Sequence, residues 1–423
     1  MKNVWGNLGS LLSGVKPAPS GSSMRGFVDR TEEGNVLGWA ADLDNPDQPV
    51  VVEIREGGKV IASAAADLYR NDLELAGFGN GRHAFHCALP ASYGGLPDIS
   101  ITAQIQGTDF LVPYQGKTQF VAETPPLFSY IAADIVNNCN LRCPFCVVDY
   151  SDVTKTEIMS DQTFTRMLGM LRAVPTAGFW LSCLHEPTLH PRLNQFLEMI
   201  PRDSRHKFWF TTNLAKPISE ETFIAWATSG IHHINVSLDT MNDELFAVLR
   251  KFGRYKIFHQ NLDRLAKVFR QYPEAPKLRY ITVAFRSNFD EIPKIVEHSH
   301  THWLSVENEI RYTYNMAHIV DEFRREHYLR KDDWPVLTER LALLPYHYVI
   351  AYPPEEGYEE TIMPSANYFE IQKADQLVPR PSFDRPFQLR ARPDGTLVIV
   401  GRESQFSVNV NSLDDPITFF RTL

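Results

Sequence analysis

From Tyr130 to Tyr314 the chain alternates short apolar runs with longer amphipathic ones, and this alternation limits the fold more than any other feature. The runs Tyr130–Val136, Phe179–Ser182, Lys207–Thr211, Ile231–Leu238, Leu278–Phe285 and Ile310–Tyr314 have the length and composition of strands. Between them lie Phe164/Met167/Leu168/Leu171, Leu193/Phe196/Leu197/Ile200 and Phe258/Leu262/Leu265/Phe269. Each set repeats at three or four residues and so gives a helix one apolar face. Strands separated by single helices run parallel, joined by right-handed crossovers. Six such units predict an α/β partial (βα)6 barrel rather than a closed eight-fold one. Ligands then gather at the C-terminal ends of the strands.

The chain has 423 residues, enough for two or three domains. Residues 16–22 read as a linker. From Gly26 to about Pro113 the pattern is different: Val50–Ile54, Lys59–Ala62 and Ile99–Ile105 are separated by turn sequences such as Asp44-Asn45-Pro46 and Glu56-Gly57-Gly58. That spacing predicts a small all-β, sandwich-like domain. Its GFVDR…GWAADLDNPDQPVVVEIREGGKVIA…YRNDL…GRHAF pattern resembles small modules appended to bacterial glycosyltransferases. Pro125 and Pro126 mark the next boundary. After about Asp321 a charge-dense helical stretch leads into a Pro-rich passage and a β segment around Pro393–Val400. The expected divisions are 1–24 (short helix and linker), 25–122 (β module), 123–320 (barrel) and 321–423 (C-terminal cap).

The formal net charge is −9, with no long basic run, which argues against nucleic acid as a partner. No apolar stretch reaches the roughly 18–20 residues of a spanning helix, so no transmembrane segment is expected. At the N-terminus, Val4, Trp5, Leu8, Leu11, Leu12 and Val15 fall at helical spacing. They suit a short helix docked on its own protein, or a weak membrane foot. Five cysteines in so long a chain make no disulfide framework, and three of them fall within eight residues. Such clustering points to metal chemistry in a reducing compartment, and the expected location is cytoplasmic.

The cluster is Cys139-Asn140-Leu141-Arg142-Cys143-Pro144-Phe145-Cys146, just past the first strand. Thiolates are the natural ligands of iron–sulfur clusters, and three on one loop can hold three irons of a cubane while leaving the fourth open. An all-cysteine zinc site lacks its fourth cysteine nearby, and no histidine within the loop completes a three-cysteine, one-histidine site.

A C-x3-C-x2-C loop with an aromatic before its last cysteine, following the first strand of a βα barrel, resembles the radical S-adenosylmethionine superfamily. The resemblance covers residues 130–315 and implies one 4Fe–4S cluster on Cys139, Cys143 and Cys146, with S-adenosylmethionine chelating the open iron. It implies an enzyme in which one electron frees a 5′-deoxyadenosyl radical that abstracts hydrogen from an unactivated carbon. Further positions follow from it. Leu184-His185-Glu186-Pro187 resembles the family's Gly-Gly-Glu-Pro motif, with Leu184 and His185 in place of the glycines that let backbone approach the cofactor. Thr211-Thr212-Asn213 resembles a stretch near the ribose, and Ser237-Leu238-Asp239 a strand end facing the cofactor. Arg250 stands where relatives keep an arginine for the cofactor carboxylate. Asn288 faces the adenine or caps the following helix. Glu186, Thr212, Asn213, Ser237, Asp239, Arg250 and Asn288 are therefore the candidate cofactor contacts. His185 and His190 are either acid–base groups or locally hydrogen-bonded side chains.

Arg392–Val400 resembles the start of a SPASM extension that has lost its cysteines, since none follows Cys183. Cys183 directly follows the second strand, at the barrel end where substrate should sit. It is either a hydrogen-atom donor to a substrate radical or an inert core thiol. The implied partners are a reductant such as flavodoxin or ferredoxin, and a small-molecule or glycan substrate or a peptide. The β module favours a sugar-related substrate, the SPASM-like segment a peptide. The reaction outcome would be that of an oxidoreductase or isomerase, and the rival from another class is a non-enzymatic iron–sulfur scaffold.

Overall fold

The computed structural model describes residues 23–32, 34–90, 100–121, 127–151, 153–174, 176–182, 184–351, 387–400 and 405–421. The expected N-terminal helix lies outside them, and so does Cys183.

Among the described residues eight strands build the N-terminal module: β1 (Met24–Glu32), β2 (Asn35–Asp42), β3 (Val51–Glu56), β4 (Lys59–Ala65), β5 (Leu68–Tyr69), β6 (Arg82–Ala88), β7 (Ile101–Ile105) and β8 (Leu111–Val112). One short helix, α1 (Asn71–Leu75), interrupts them. They form two antiparallel sheets ordered β1-β2-β6-β5 and β4-β3-β7-β8. Val28, Val36 and Phe85 from the first sheet meet Val52, Ile54, Ala103 and Ile105 from the second in one buried cluster. The two sheets bury their facing sides against each other, which makes the module the expected sandwich.

The second unit is a ten-stranded sheet. A run of parallel strands comprises β9 (Phe128–Ala133), β10 (Gly178–Leu181), β11 (Lys207–Thr212), β12 (His233–Ser237), β13 (Lys277–Val283), β14 (Ser305–Arg311) and β15 (Tyr348–Ala351). Helices α2 (Asp161–Met170), α3 (Leu193–Glu198), α4 (Glu220–Ala227), α5 (Asp243–Leu249), α6 (Tyr255–Phe269) and α7 (Ile292–His302) lie between the first six. Several start on side-chain caps: Ser160 accepts from Thr163 N, Ser219 from Thr222 N and Asn242 from Leu245 N. The anticipated stripes face inward, with Phe164, Met167, Phe196, Leu197, Phe258, Leu262, Leu265 and Phe269 all buried. Truncating Phe258 to Ala would cost about 3–5 kcal/mol.

The six expected units run from β9 to α7 and β14, and β15 extends the sheet by a further parallel strand beyond residue 320, after α8 (Asp321–His327) and α9 (Asp333–Ala342). At four residues it is too short to register as a periodic run. The C-terminal segment also joins the sheet rather than standing apart from it. β16 (Phe387–Ala391) pairs in parallel with β9, and β17 (Thr396–Val400) and β18 (Gln405–Asn409) follow antiparallel. After them, α10 (Pro416–Arg421) packs on α2. No strand of the sandwich pairs with this sheet among the described residues.

Candidate active site at the strand ends

The cysteine loop leaves β9 and folds over the C-terminal end of the sheet. Cys139, Cys143 and Cys146 line one cavity of about 230 Å³, together with Glu186, Thr211, Thr212, Asn213, Ser237 and Arg250. Four N–H donors point at the thiol sulfurs. Leu141 N and Asn213 Nδ2 donate to Cys139 Sγ, each at 3.4 Å. Val148 N donates to Cys146 Sγ at 3.4 Å, and Arg250 Nη1 lies 3.9 Å from Cys143 Sγ. Such donors stabilise anionic sulfur, the form in which cysteine binds metal.

No three His, Cys, Asp or Glu side chains converge on a single ion among the described residues. Three thiols lining one cavity suit a cluster in which each thiolate takes its own iron. Burial pushes Cys139 and Cys146 up to about 12 and also raises Cys143, against the pull of Arg250. The free thiols are thus neutral at pH 7, and ligation must displace their protons.

Glu186 ties this loop to the sheet. Its Oε1 accepts from Thr188 N (3.2 Å), Thr188 Oγ1 (2.7 Å) and Thr212 Oγ1 (2.8 Å), while Oε2 accepts from Asn213 N (2.7 Å). Burial raises its pKa, and those four donors pull the other way. Glu186 N also donates to Asn138 O at 3.1 Å, beside Cys139. Asn213 extends the chain of contacts, donating to Asn140 Oδ1 as well as to Cys139 and accepting from Ala215 N. Glu186 and Asn213 are therefore positioning residues for the cluster loop. Asn213 also lines the cavity, with its amide bonded to Cys139, Asn140 and Ala215.

Arg250 and Asp239 were both expected to meet the cofactor. They meet each other, with Nη2 and Oδ2 2.6 Å apart and Asp239 fully buried. Asp239 Oδ2 has no aligned hydrogen bond, so this contact is an ion pair by proximity; Oδ1 accepts from Val283 N at 2.9 Å. Burial pushes the Asp239 carboxyl up, opposed by Arg250. Burial works against the charge of Arg250, but Asp239 and Cys143 outweigh it and raise its pKa. Only Arg250 of the pair reaches the cavity.

Asn288 does not reach the cavity either. Its amide donates to Asp239 O and Val283 O, and its Oδ1 accepts from Phe285 N, so it ties two strand ends together. Leu184 and His185 line the cavity, and neither has the left-handed φ that would demand glycine. His190 bonds Met159 O and Arg192 N away from the cavity, as a local structural group.

Several lining residues were missed. Tyr150 Oη contacts His185 Nδ1 at 2.9 Å, and its ring carries the Arg142 guanidinium 4.6 Å above it. Tyr150 lies four residues past Cys146, within reach of a reading extended beyond the last cysteine. Arg311, Tyr312, Thr313 and Tyr314 form the far wall. Residues 312–314 were counted as strand, whereas β14 ends at Arg311 and the chain then bends over the cavity.

A parallel sheet with three hydrogen-bonded thiols at its C-terminal end defines an iron–sulfur protein of the barrel type. Residues 134–298 match the model of the Radical SAM superfamily. That family uses a 4Fe–4S cluster and S-adenosylmethionine, and the thiols and N–H donors above fit the cluster. The GTP 3′,8-cyclase of Chlorobaculum tepidum is 25% identical over 183 residues, 42% of this chain and 52% of that protein. The enzyme of the same name from Thermodesulfovibrio yellowstonii is 25% identical over 217 residues, 48% of this chain and 61% of that protein. The chain thus spans about half the length of the curated relatives it matches. Among solved structures, Streptococcus suis SuiB bound to S-adenosylmethionine shares 15% identity at a TM-score of 0.48, across 69% of this chain and 67% of that one.

Proposed function

We propose that this protein is a radical S-adenosylmethionine enzyme whose cluster is held by Cys139, Cys143 and Cys146. The carrying observation is the set of four N–H donors aimed at three cysteine sulfurs round one strand-end cavity. Held there by Cys139, Cys143 and Cys146, the cluster would supply one-electron reduction of S-adenosylmethionine and, through it, hydrogen-atom abstraction from the substrate. The chain's own part is to position and to shield. Glu186 and Asn213 fix the Cys139 end of the loop, and Arg250 fixes the Cys143 end. Thr211, Thr212 and Ser237 offer hydroxyls along one side of the cavity, suited to a ribose diol. Phe145, Tyr150 and His185 form its aromatic side and limit water. Substrate then sits against the far wall of Arg311–Tyr314.

The sugar-related substrate rests on the β module's resemblance alone, and the relatives named above are GTP cyclases. An electron must come from outside, from a flavodoxin- or ferredoxin-like donor. The test is anaerobic reconstitution followed by reduction with dithionite in the presence of S-adenosylmethionine. Wild type should carry about four irons per chain and release 5′-deoxyadenosine, and the triple change Cys139→Ala, Cys143→Ala, Cys146→Ala should do neither. A wild-type protein loaded with four irons that releases no 5′-deoxyadenosine would sink the enzyme reading and leave the scaffold.

A further inference from the structure

The turn between α5 and α6 reads Arg250-Lys251-Phe252-Gly253-Arg254-Tyr255-Lys256. Lys251, Phe252, Arg254 and Lys256 are all exposed. Among the described residues none of these three cations forms a salt bridge. On a chain of net charge −9, this is a local island of unneutralised positive charge. At its centre Phe252 is 72% exposed, with a left-handed φ of 74°. A non-glycine residue holds that conformation only where its surroundings enforce it. Lys251 Nζ stands 5.7 Å from the Phe252 ring centroid, so charge and aromatic surface are presented together.

The surroundings that enforce it belong to the cysteine loop. Arg142 N donates to Lys251 O at 3.0 Å. A Cβ on Gly253 would stand 3.2 Å from the Leu141 side chain and 2.8 Å from Arg250 O, so the turn packs directly on the loop. Arg250, the turn's first residue, reaches Cys143 Sγ. One residue thus separates the exposed patch from a cluster ligand. Outside the loop a second groove is lined by Cys143, Val248, Lys251 and Val320, with Glu322 and Glu326 of α8 opposite. Val248 and Val320 are 45% and 63% exposed. Of the turn's cations Lys251 lines this groove, beside Val248, Val320 and Arg142 and with the acidic Asp149, Glu322 and Glu326.

We propose that the Lys251–Lys256 turn is the docking face for an acidic one-electron carrier protein that reduces the cluster. This rests on the reading of the site given above. The carrier gives up one electron and the cluster gains it, with no bond made or broken in this chain. The basic turn attracts the carrier's acidic face, and Phe252 supplies the aromatic anchor at the centre of the contact.

The test uses the full, anaerobically reconstituted chain and follows bleaching of the cluster's visible absorbance. Reduced flavodoxin, an acidic FMN protein, is compared with dithionite as reductant. In the charge-reversed K251E/R254E/K256E chain, the flavodoxin-driven rate should fall by about tenfold or more at low salt, as for other steered encounters. Phe252→Ala should lower it by a smaller factor, and dithionite should reduce all three proteins alike. Equal flavodoxin rates in wild type and both variants would overturn the docking face. So would an equal loss with both reductants, which would make the turn a structural brace. Cluster bleaching needs no S-adenosylmethionine turnover, so failure of the enzyme reading in the 5′-deoxyadenosine assay stays separate from failure here.

Discussion

In the sandwich the buried positions are filled by Val28, Val36, Val52, Ile54, Phe85 and Ile105, whereas at the barrel's strand ends they are held by Glu186, Thr212, Asn213, Asp239 and Asn288. Both regions are β-rich, and both bury these side chains. The sandwich gains by doing so, because apolar burial is worth roughly 25 cal/mol per Å². The strand ends lose, because each buried charge costs several kcal/mol unless partners repay it. Repayment is visible in the four donors to Glu186 and in the Arg250–Asp239 pair. A chain keeps such an arrangement where chemistry, not stability, sets the residue choice. Here that place coincides with the three thiols.

Breaking the pair should give the largest effect. Asp239→Ala leaves Arg250 nearly buried without its carboxylate and should destabilise the cluster-free barrel by about 3–5 kcal/mol. Urea denaturation measures it. A loss below about 1 kcal/mol would match an exposed pair and would erase the contrast with the sandwich.

Asn213→Asp comes next. It keeps the cap on Ala215 N but replaces the N–H donor to Cys139 by a carboxylate. Hydrogen bonds to cluster sulfurs favour the reduced, more negative state, so the reduction potential should become more negative. A charge-assisted bond is worth about 1.5–3 kcal/mol, so at ~59 mV per tenfold for one electron the shift should be on the order of 100 mV. Spectroelectrochemistry with iron content checked in parallel reads it. An unchanged potential with weaker S-adenosylmethionine binding would assign Asn213 to the ribose.

Removing the sandwich should give the smallest effect. A chain beginning near Glu123 should fold, bind iron and cleave S-adenosylmethionine with dithionite as the whole chain does. If it is soluble and iron-loaded yet inert, the two regions are not independent.

The two regions also differed in how legible they were. Period-two alternation with turns between announced the sandwich, and the stripes of α2, α3 and α6 announced the barrel, because both signals are local. The three cysteines were legible for the same reason, being eight residues of contiguous sequence. What escaped depends on distant pairing. The placement of β16 beside β9 joins residues more than 250 apart in sequence. The bond from Asn213 to Cys139 spans 74 positions, and no local pattern announces it. Asp239 and Arg250 were picked out individually, but that they pair with each other is a property of the fold. Tyr312–Tyr314 carried a strand's apolar signature and became a cavity wall, because the sheet ends one residue earlier.

The central claim is that three thiolates hold a cluster whose remaining iron faces the cavity. Electron paramagnetic resonance of the dithionite-reduced protein, recorded with and without S-adenosylmethionine, tests it most directly. An open iron that takes the cofactor should give a low-spin reduced-cluster signal whose g-values change on adding S-adenosylmethionine. Identical spectra in the two samples, at full iron loading, would contradict the account.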